Sequence, residues 1–151
     1  MTEELLSWKL DHIGIIVRDL EKSIEFYRSL GAGQFHSNKP VQRIERKWLG
    51  KLVPLDIVNV IARSARLGSV DIELLQPFEG ESVWRNFLET KGEGMHHIGF
   101  LVDDIEKEEV KLVKEGCTVV LRSRFKNGGL DYVDMGKIGG VLIEIIQWPP
   151  E

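Results

Sequence analysis

His12-Ile13-Gly14-Ile15-Ile16-Val17-Arg18-Asp19-Leu20-Glu21-Lys22 can be laid on His97-Ile98-Gly99-Phe100-Leu101-Val102-Asp103-Asp104-Ile105-Glu106-Lys107, and seven of the eleven pairs are identical. A second match follows in the same order. Val70-Asp71-Ile72-Glu73-Leu74-Leu75-Gln76 overlays Val141-Leu142-Ile143-Glu144-Ile145-Ile146-Gln147 with four of seven places identical. Self-similarity at two ordered places is the mark of a duplicated supersecondary unit. The chain therefore reads as two copies of one module, each opening on His and closing on Glu. His12 to Glu73 spans 61 residues and His97 to Glu144 spans 47, so 14 extra residues fall inside the first copy. The stretch from Gln34 to Arg66 is the place for them, and it carries Arg43, Arg46, Lys47, Lys51, Arg63 and Arg66.

Each copy predicts βαβββ. The His opens an apolar, β-branched run (His12 to Val17; His97 to Val102) suited to a strand buried on both faces. Asp19 and Asp104 sit where a helix N-cap belongs, because a carboxylate there accepts from an open first-turn amide. Leu20, Ile24 and Tyr27 give helical spacing in the first copy, and Ile105, Leu112 and Val113 give it less regularly in the second. Gly31 and Gly116 fall where a left-handed helix end favours glycine. Strand-like runs follow near Gln42–Trp48, Asp56–Ala62 and Ser69–Leu75, then near Thr118–Arg124, Asp131–Asp134 and Gly140–Gln147. Module one covers about residues 8–78 and module two about 94–149. A connector at about 79–93, with a short helix over Ser82–Thr90, joins them within a single domain of residues 1–151.

Composition sets the class. With 151 residues, 42% hydrophobic and 29% charged, the chain has the size and make-up of an ordinary globular domain. A net charge of -4 argues against nucleic acid as a partner. No apolar run has the length of a bilayer span, which argues against a membrane protein. The start Met1-Thr2-Glu3-Glu4 is acidic, unlike a secretory signal, and the single cysteine, Cys117, has no internal disulfide partner. A cytoplasmic location is expected.

The paired βαβββ pattern resembles the vicinal oxygen chelate superfamily, which includes glyoxalase I. The resemblance rests on Leu10-Asp11-His12-Ile13-Gly14, Ile72-Glu73-Leu74-Leu75-Gln76-Pro77, Gly92-Glu93-Gly94-Met95-His96-His97-Ile98 and Gly139-Gly140-Val141-Leu142-Ile143-Glu144. It implies an α+β fold whose two modules form a curved mixed sheet around one metal cleft, with His12, Glu73, His97 and Glu144 as ligands. Alone, a His in an apolar strand is usually a hydrogen-bonded core or surface residue, and Glu73, with Asp71 on the same face, can be read as a solvent-facing strand position. Glu144 is different: its run is apolar on both faces, and a lone carboxylate there would be desolvated. Two imidazoles and two carboxylates balance one divalent ion, and Zn, Co, Ni and Mn all accept such a set. His96 overlays Asp11 rather than His12, which gives it a neighbouring role. Iron dioxygenases favour two His and one carboxylate, so a four-ligand site points instead to acid–base chemistry beside a carbonyl.

Within the superfamily the connector and closing motifs resemble most the methylmalonyl-CoA epimerases. The resemblance implies a metal-dependent isomerase acting through an enolate on an acyl-CoA thioester such as methylmalonyl-CoA. Glu144 would double as an acid–base group. A second base is expected upstream of Glu73, where Asp56 is the nearest carboxylate and Glu45 a weaker candidate. Asp56 reads equally well as a solvent-facing residue at a strand start after Pro54. The basic residues between 43 and 66 suit a CoA phosphate or an ordinary solvated surface. Two other functions fit the fold: a glyoxalase I-like lactoylglutathione lyase, and a non-catalytic small-molecule binding or resistance protein. The resemblance also implies a homodimer, with Trp8, Trp48, Trp84 and Trp148 as available apolar area.

Overall fold

The computed structural model describes residues 7–136 and 139–151, so the acidic start Met1-Thr2-Glu3-Glu4 lies outside the described residues. Strands β1 (Lys9–Ile16), β2 (Arg43–Trp48), β3 (Lys51–Leu52), β4 (Val60–Leu67), β5 (Val70–Pro77), β6 (Gly94–Leu101), β7 (Thr118–Phe125), β8 (Gly128–Asp134) and β9 (Leu142–Gln147) alternate with helices α1 (Leu20–Ser29), α2 (Val83–Lys91) and α3 (Ile105–Lys114). The α+β class is the one the sequence predicts. Among the described residues no helix is long and apolar enough to cross a membrane.

The chain forms two compact units, one of residues 12–40 and 56–96, the other of residues 41–55 and 97–151 with the start of β1. In the first unit β1 pairs parallel with β5, and β5 pairs antiparallel with β4. Helix α1 closes one face over Val17, Leu20, Ile24, Ile72 and Leu74, with Tyr27 packed alongside. In the second unit the order is β3-β2-β7-β8-β9-β6, with β6 and β9 parallel and the other pairs antiparallel. Helix α3 covers Val102, Ile105, Leu112, Val133 and Ile145.

Both copies solve the helix ends alike. Asp19 accepts from the Lys22 amide at 3.0 Å, and Asp104 accepts from the Lys107 amide at 3.1 Å. The next open amide in each helix is met from a strand: Leu20 N–H donates to Gln76 Oε1 at 2.7 Å, and Ile105 N–H to Gln147 Oε1 at 3.0 Å. First-turn amides lack intrahelical partners, which gives the repeated Gln its purpose. Gly31 and Gly116 hold positive φ just past the helix ends, at 101° and 90°.

The middle of the first copy departs from expectation. The strand expected at Asp56–Ala62 instead runs Val60–Leu67, because residues 55–56 are spent in a turn after Pro54. His36 bridges Ser64 on β4 through two hydrogen bonds of 2.9 Å. The following hairpin, β2 with β3, pairs through β2 with β7 of the second copy. The extra residues thus build a hairpin that extends the other copy's strands. Val113 is half exposed rather than in the core, and Glu108 is buried on α3 instead.

Candidate metal centre

Each unit holds one His–Glu pair, built the same way. In the first, His12 lies opposite Asp71 and Gly14 opposite Glu73. In the second, His97 lies opposite Leu142 and Gly99 opposite Glu144. Alternation along a strand puts His12 and Gly14 on one face, and a directly paired residue shares that face. Each Glu therefore leans past a glycine toward a His two positions back, with no Cβ in between. His12 Nε2 is 3.8 Å from Glu73 Oε1, and His97 Nε2 is 3.0 Å from Glu144 Oε2. All four side chains are buried, His97 completely.

The residues around each pair differ. Asn38 donates its Nδ2 to Glu73 Oε2 at 2.8 Å, and Ser64, the cross-strand neighbour of Glu73, donates to Asn38 Oδ1 at 3.4 Å. Asn38 comes from the irregular segment after α1, and no periodicity marks it. In the second unit Tyr132 is the cross-strand neighbour of Glu144, and its ring packs at 4.8 Å on that of His97. His96 packs edge-on against Phe87 at 5.0 Å, a core contact that agrees with its neighbouring role.

The pairs fit a divalent ion. Buried imidazole nitrogens facing buried carboxylates are a borderline-hard N,O donor set. Two ligands each about 2.1 Å from one ion lie about 3.0 Å apart at a right angle and about 3.4 Å at the tetrahedral angle. His97–Glu144 already matches the first spacing, while His12–Glu73 needs only a small side-chain closure.

Asp56 is exposed in the turn between β3 and β4, not on a strand. Glu45 faces the α3 side of its sheet, where it accepts from Arg122 at 2.9 Å and meets Lys47 at 3.5 Å. That is the opposite face from Glu144. Arg66 is engaged by Asp71 at 2.9 Å and the Ser69 carbonyl, and Arg63 by the Ala62 carbonyl. The expected basic cluster is thus divided among local partners. Trp84 is buried, Trp8 packs on Phe100 and Trp148 stacks on Phe125. Exposed apolar area lies instead on Ile44, Leu49 and Leu52, the last 73% exposed.

Residues 11–133 match the sequence profile of the Glyoxalase/Bleomycin resistance protein/Dioxygenase superfamily. The chain belongs to this superfamily. It is 31% identical to the uncharacterized protein YqjC of Bacillus subtilis (strain 168), over 92% of this chain and 91% of that one. It is 30% identical to the mitochondrial methylmalonyl-CoA epimerase of Bos taurus, over 92% of this chain and 74% of that one. The crystal structure of methylmalonyl-CoA epimerase from Mycobacterium tuberculosis superposes with a TM-score of 0.69 at 25% identity, covering 94% of this chain and 89% of that one.

Proposed function

We propose that this protein is a divalent-metal-dependent isomerase that epimerises the α-carbon of an acyl-CoA, with methylmalonyl-CoA as substrate. The observation that carries the reading is the buried His–Glu pair repeated at one strand register, in a chain 30% identical to a methylmalonyl-CoA epimerase. In this reading residues 1–151 act as one domain in which His12, Glu73, His97 and Glu144 together hold one ion, Zn, Co, Ni or Mn. His12, Glu73 and His97 are each buried and of ligand type, as the proposal needs. When bound, the ion supplies Lewis-acid stabilisation of the charge that gathers on the thioester oxygen as the α-proton leaves.

The remaining work falls to the chain. Inverting a carbon requires a proton taken from one face and returned to the other, hence two acid–base groups. Glu144 is proposed for one face, its carboxylate held beside His97 in a site that excludes water. Asp56 is proposed for the other; it sits on a turn, where a short side chain has freedom to approach a bound substrate. Packing of Tyr132 on His97 fixes the imidazole plane. The protein is proposed to work as a homodimer, which light scattering tests.

Incubation of the metal-loaded protein with methylmalonyl-CoA in deuterated water is the direct assay. Deuterium should enter the α-position, and Asp56→Asn should slow its entry by ~100-fold or more. Absence of exchange at every metal loading defeats the epimerase reading. Turnover of the methylglyoxal–glutathione hemithioacetal in its place would assign the lyase.

A further inference from the structure

Exposed apolar side chains gather on the hairpin of β2 and β3, the outer strands of the second unit's sheet. Trp48 pairs with Lys51, so Leu49 and Gly50 make a two-residue turn, with φ of 48° and 77°. Positive φ at both central positions is the mark of the type I′ hairpin turn, which suits Asn-Gly and disfavours a bulky residue such as Leu. Asn127, the other non-glycine residue with positive φ among the described residues, is of a type that tolerates it. Leu49 gains no burial in return, since it is 60% exposed. A backbone outlier kept without packing inside the fold points to a role in recognition.

The rest of the hairpin shares this character. Leu52 lies opposite Lys47 and is 73% exposed, and Ile44, at the bulge in β2, is 61% exposed. Between Val41 and Leu55 the cations Arg43, Arg46, Lys47 and Lys51 outnumber one acid, Glu45, a net charge of +3 in a chain of -4. Glu45 is itself engaged by Arg122 at 2.9 Å, while Arg43 and Lys51 are exposed. Charge decides what covers such a surface. A two-fold contact between copies through this tip would set like cations against each other. An anionic surface with an apolar layer beneath it matches both properties.

We propose that the β2–β3 hairpin docks this protein, without spanning, onto a bilayer rich in anionic phospholipid. Leu49 is at the tip and Leu52 three residues on, so both lie within about 10 Å of the hairpin's end at ~3.3 Å per residue. That is the depth, about 5–10 Å, to which interfacial segments enter the boundary between headgroups and acyl chains. Lys51 then sits level with the headgroups, its stem over apolar surface and its ammonium toward phosphate. Trp48, half-buried beside it, has the amphipathic ring that membrane interfaces favour. None of these residues belongs to the His–Glu pairs, so the docking stands apart from the proposed metal centre.

Sedimentation with vesicles of phosphatidylcholine, alone or mixed equally with phosphatidylglycerol, tests it. Wild type should bind the anionic vesicles ~10-fold or more tightly than the neutral ones, and the preference should fade at high salt. Leu49→Asn and Leu52→Ser should each weaken binding by ~10-fold, the share of one leucine leaving water, and Lys51→Gln by about 5-fold. Leu49→Asn carries its own control: Asn suits the positive φ, so the thermal midpoint should hold or rise while vesicle binding falls. Metal content should stay at the wild-type level in all three variants. Failure of wild type to bind anionic vesicles overturns the proposal. So does binding that ignores vesicle charge, or equal binding by wild type, Leu49→Asn and Leu52→Ser. A dimer in lipid-free solution that Leu49→Asn dissociates overturns it too, and assigns the tip to a second copy.

Discussion

At the residue scale, each buried pair depends on what touches it. His12 and His97 are duplicates by register, so His12→Ala and His97→Ala should each lower metal content by ~10-fold or more in protein purified without added metal. Equal metal in wild type and His12→Ala would remove the proposed centre. Asn38 touches only the first pair and orients Glu73 through one amide hydrogen. Asn38→Ala should weaken metal affinity by roughly 10-fold, the usual effect of losing a hydrogen bond to a ligand, while Asn38→Gln retains part of it. Competition with a chromophoric chelator reads both. Nothing in the spacing of the sequence pointed to Asn38, because it acts from an irregular segment brought alongside β5 by the His36–Ser64 bridge.

At the element scale, the repeated Gln is a helix device. Gln76 and Gln147 close β5 and β9 and accept the first helical amide of α1 and α3. Each therefore ties the strand that carries a proposed ligand Glu to the helix that packs behind it. Gln76→Ala and Gln147→Ala should each destabilise the fold by about 1 kcal/mol, as for a lost cap. Urea melts should show lower midpoints with unchanged slopes. Glu substitutions should recover part of the loss, since a carboxylate accepts from the same amide and suits a helix N-terminus. The whole chain of effects, from a repeated letter to a strand–helix clamp, was visible as a pattern but not as a cause before the hydrogen bonds were in view.

At the scale of the whole molecule, stability should carry the signature of one buried acid. Arg124 meets Asp131 at 2.7 Å, Glu106 at 2.6 Å, and Glu109. Asp131 is fully buried, and that burial pushes its carboxyl up to about 7 despite Arg124, with Glu109 adding to the rise. The native state thus keeps a proton that the unfolded chain loses near pH 4. Stability falls as pH rises from there to about 7, and the loss is complete above it. Glu106 acts oppositely: Arg124 holds its carboxyl below the ordinary range, so its contribution is present above pH ~4.5 and fades on acidification. Asp131→Asn should flatten the decline between pH 5 and pH 7.5. Thermal melts of both proteins at those two pH values check it, and identical pH dependence would refute the assignment.

The sequence by itself determined the duplication, the two Asp-capped helices and the α+β class. All of these follow from local periodicity and from motifs that recur at matching positions. The same information placed His12, Glu73, His97 and Glu144 as duplicates of one another, because register within a repeat is a property of spacing. Tertiary structure decided the rest. The Gln42–Trp48 run could have paired with any open edge, and it joined β7 of the other copy, since backbone donors at an edge carry no sequence address. Only that pairing turned Glu45 toward α3 and Arg46 toward the Glu144 face, because a strand's sidedness is fixed by its partner's register. The opening stretch, His12 to Lys22 echoed by His97 to Lys107, fixed where the pairs begin. Which groups surround them was written in contacts between residues far apart in the chain.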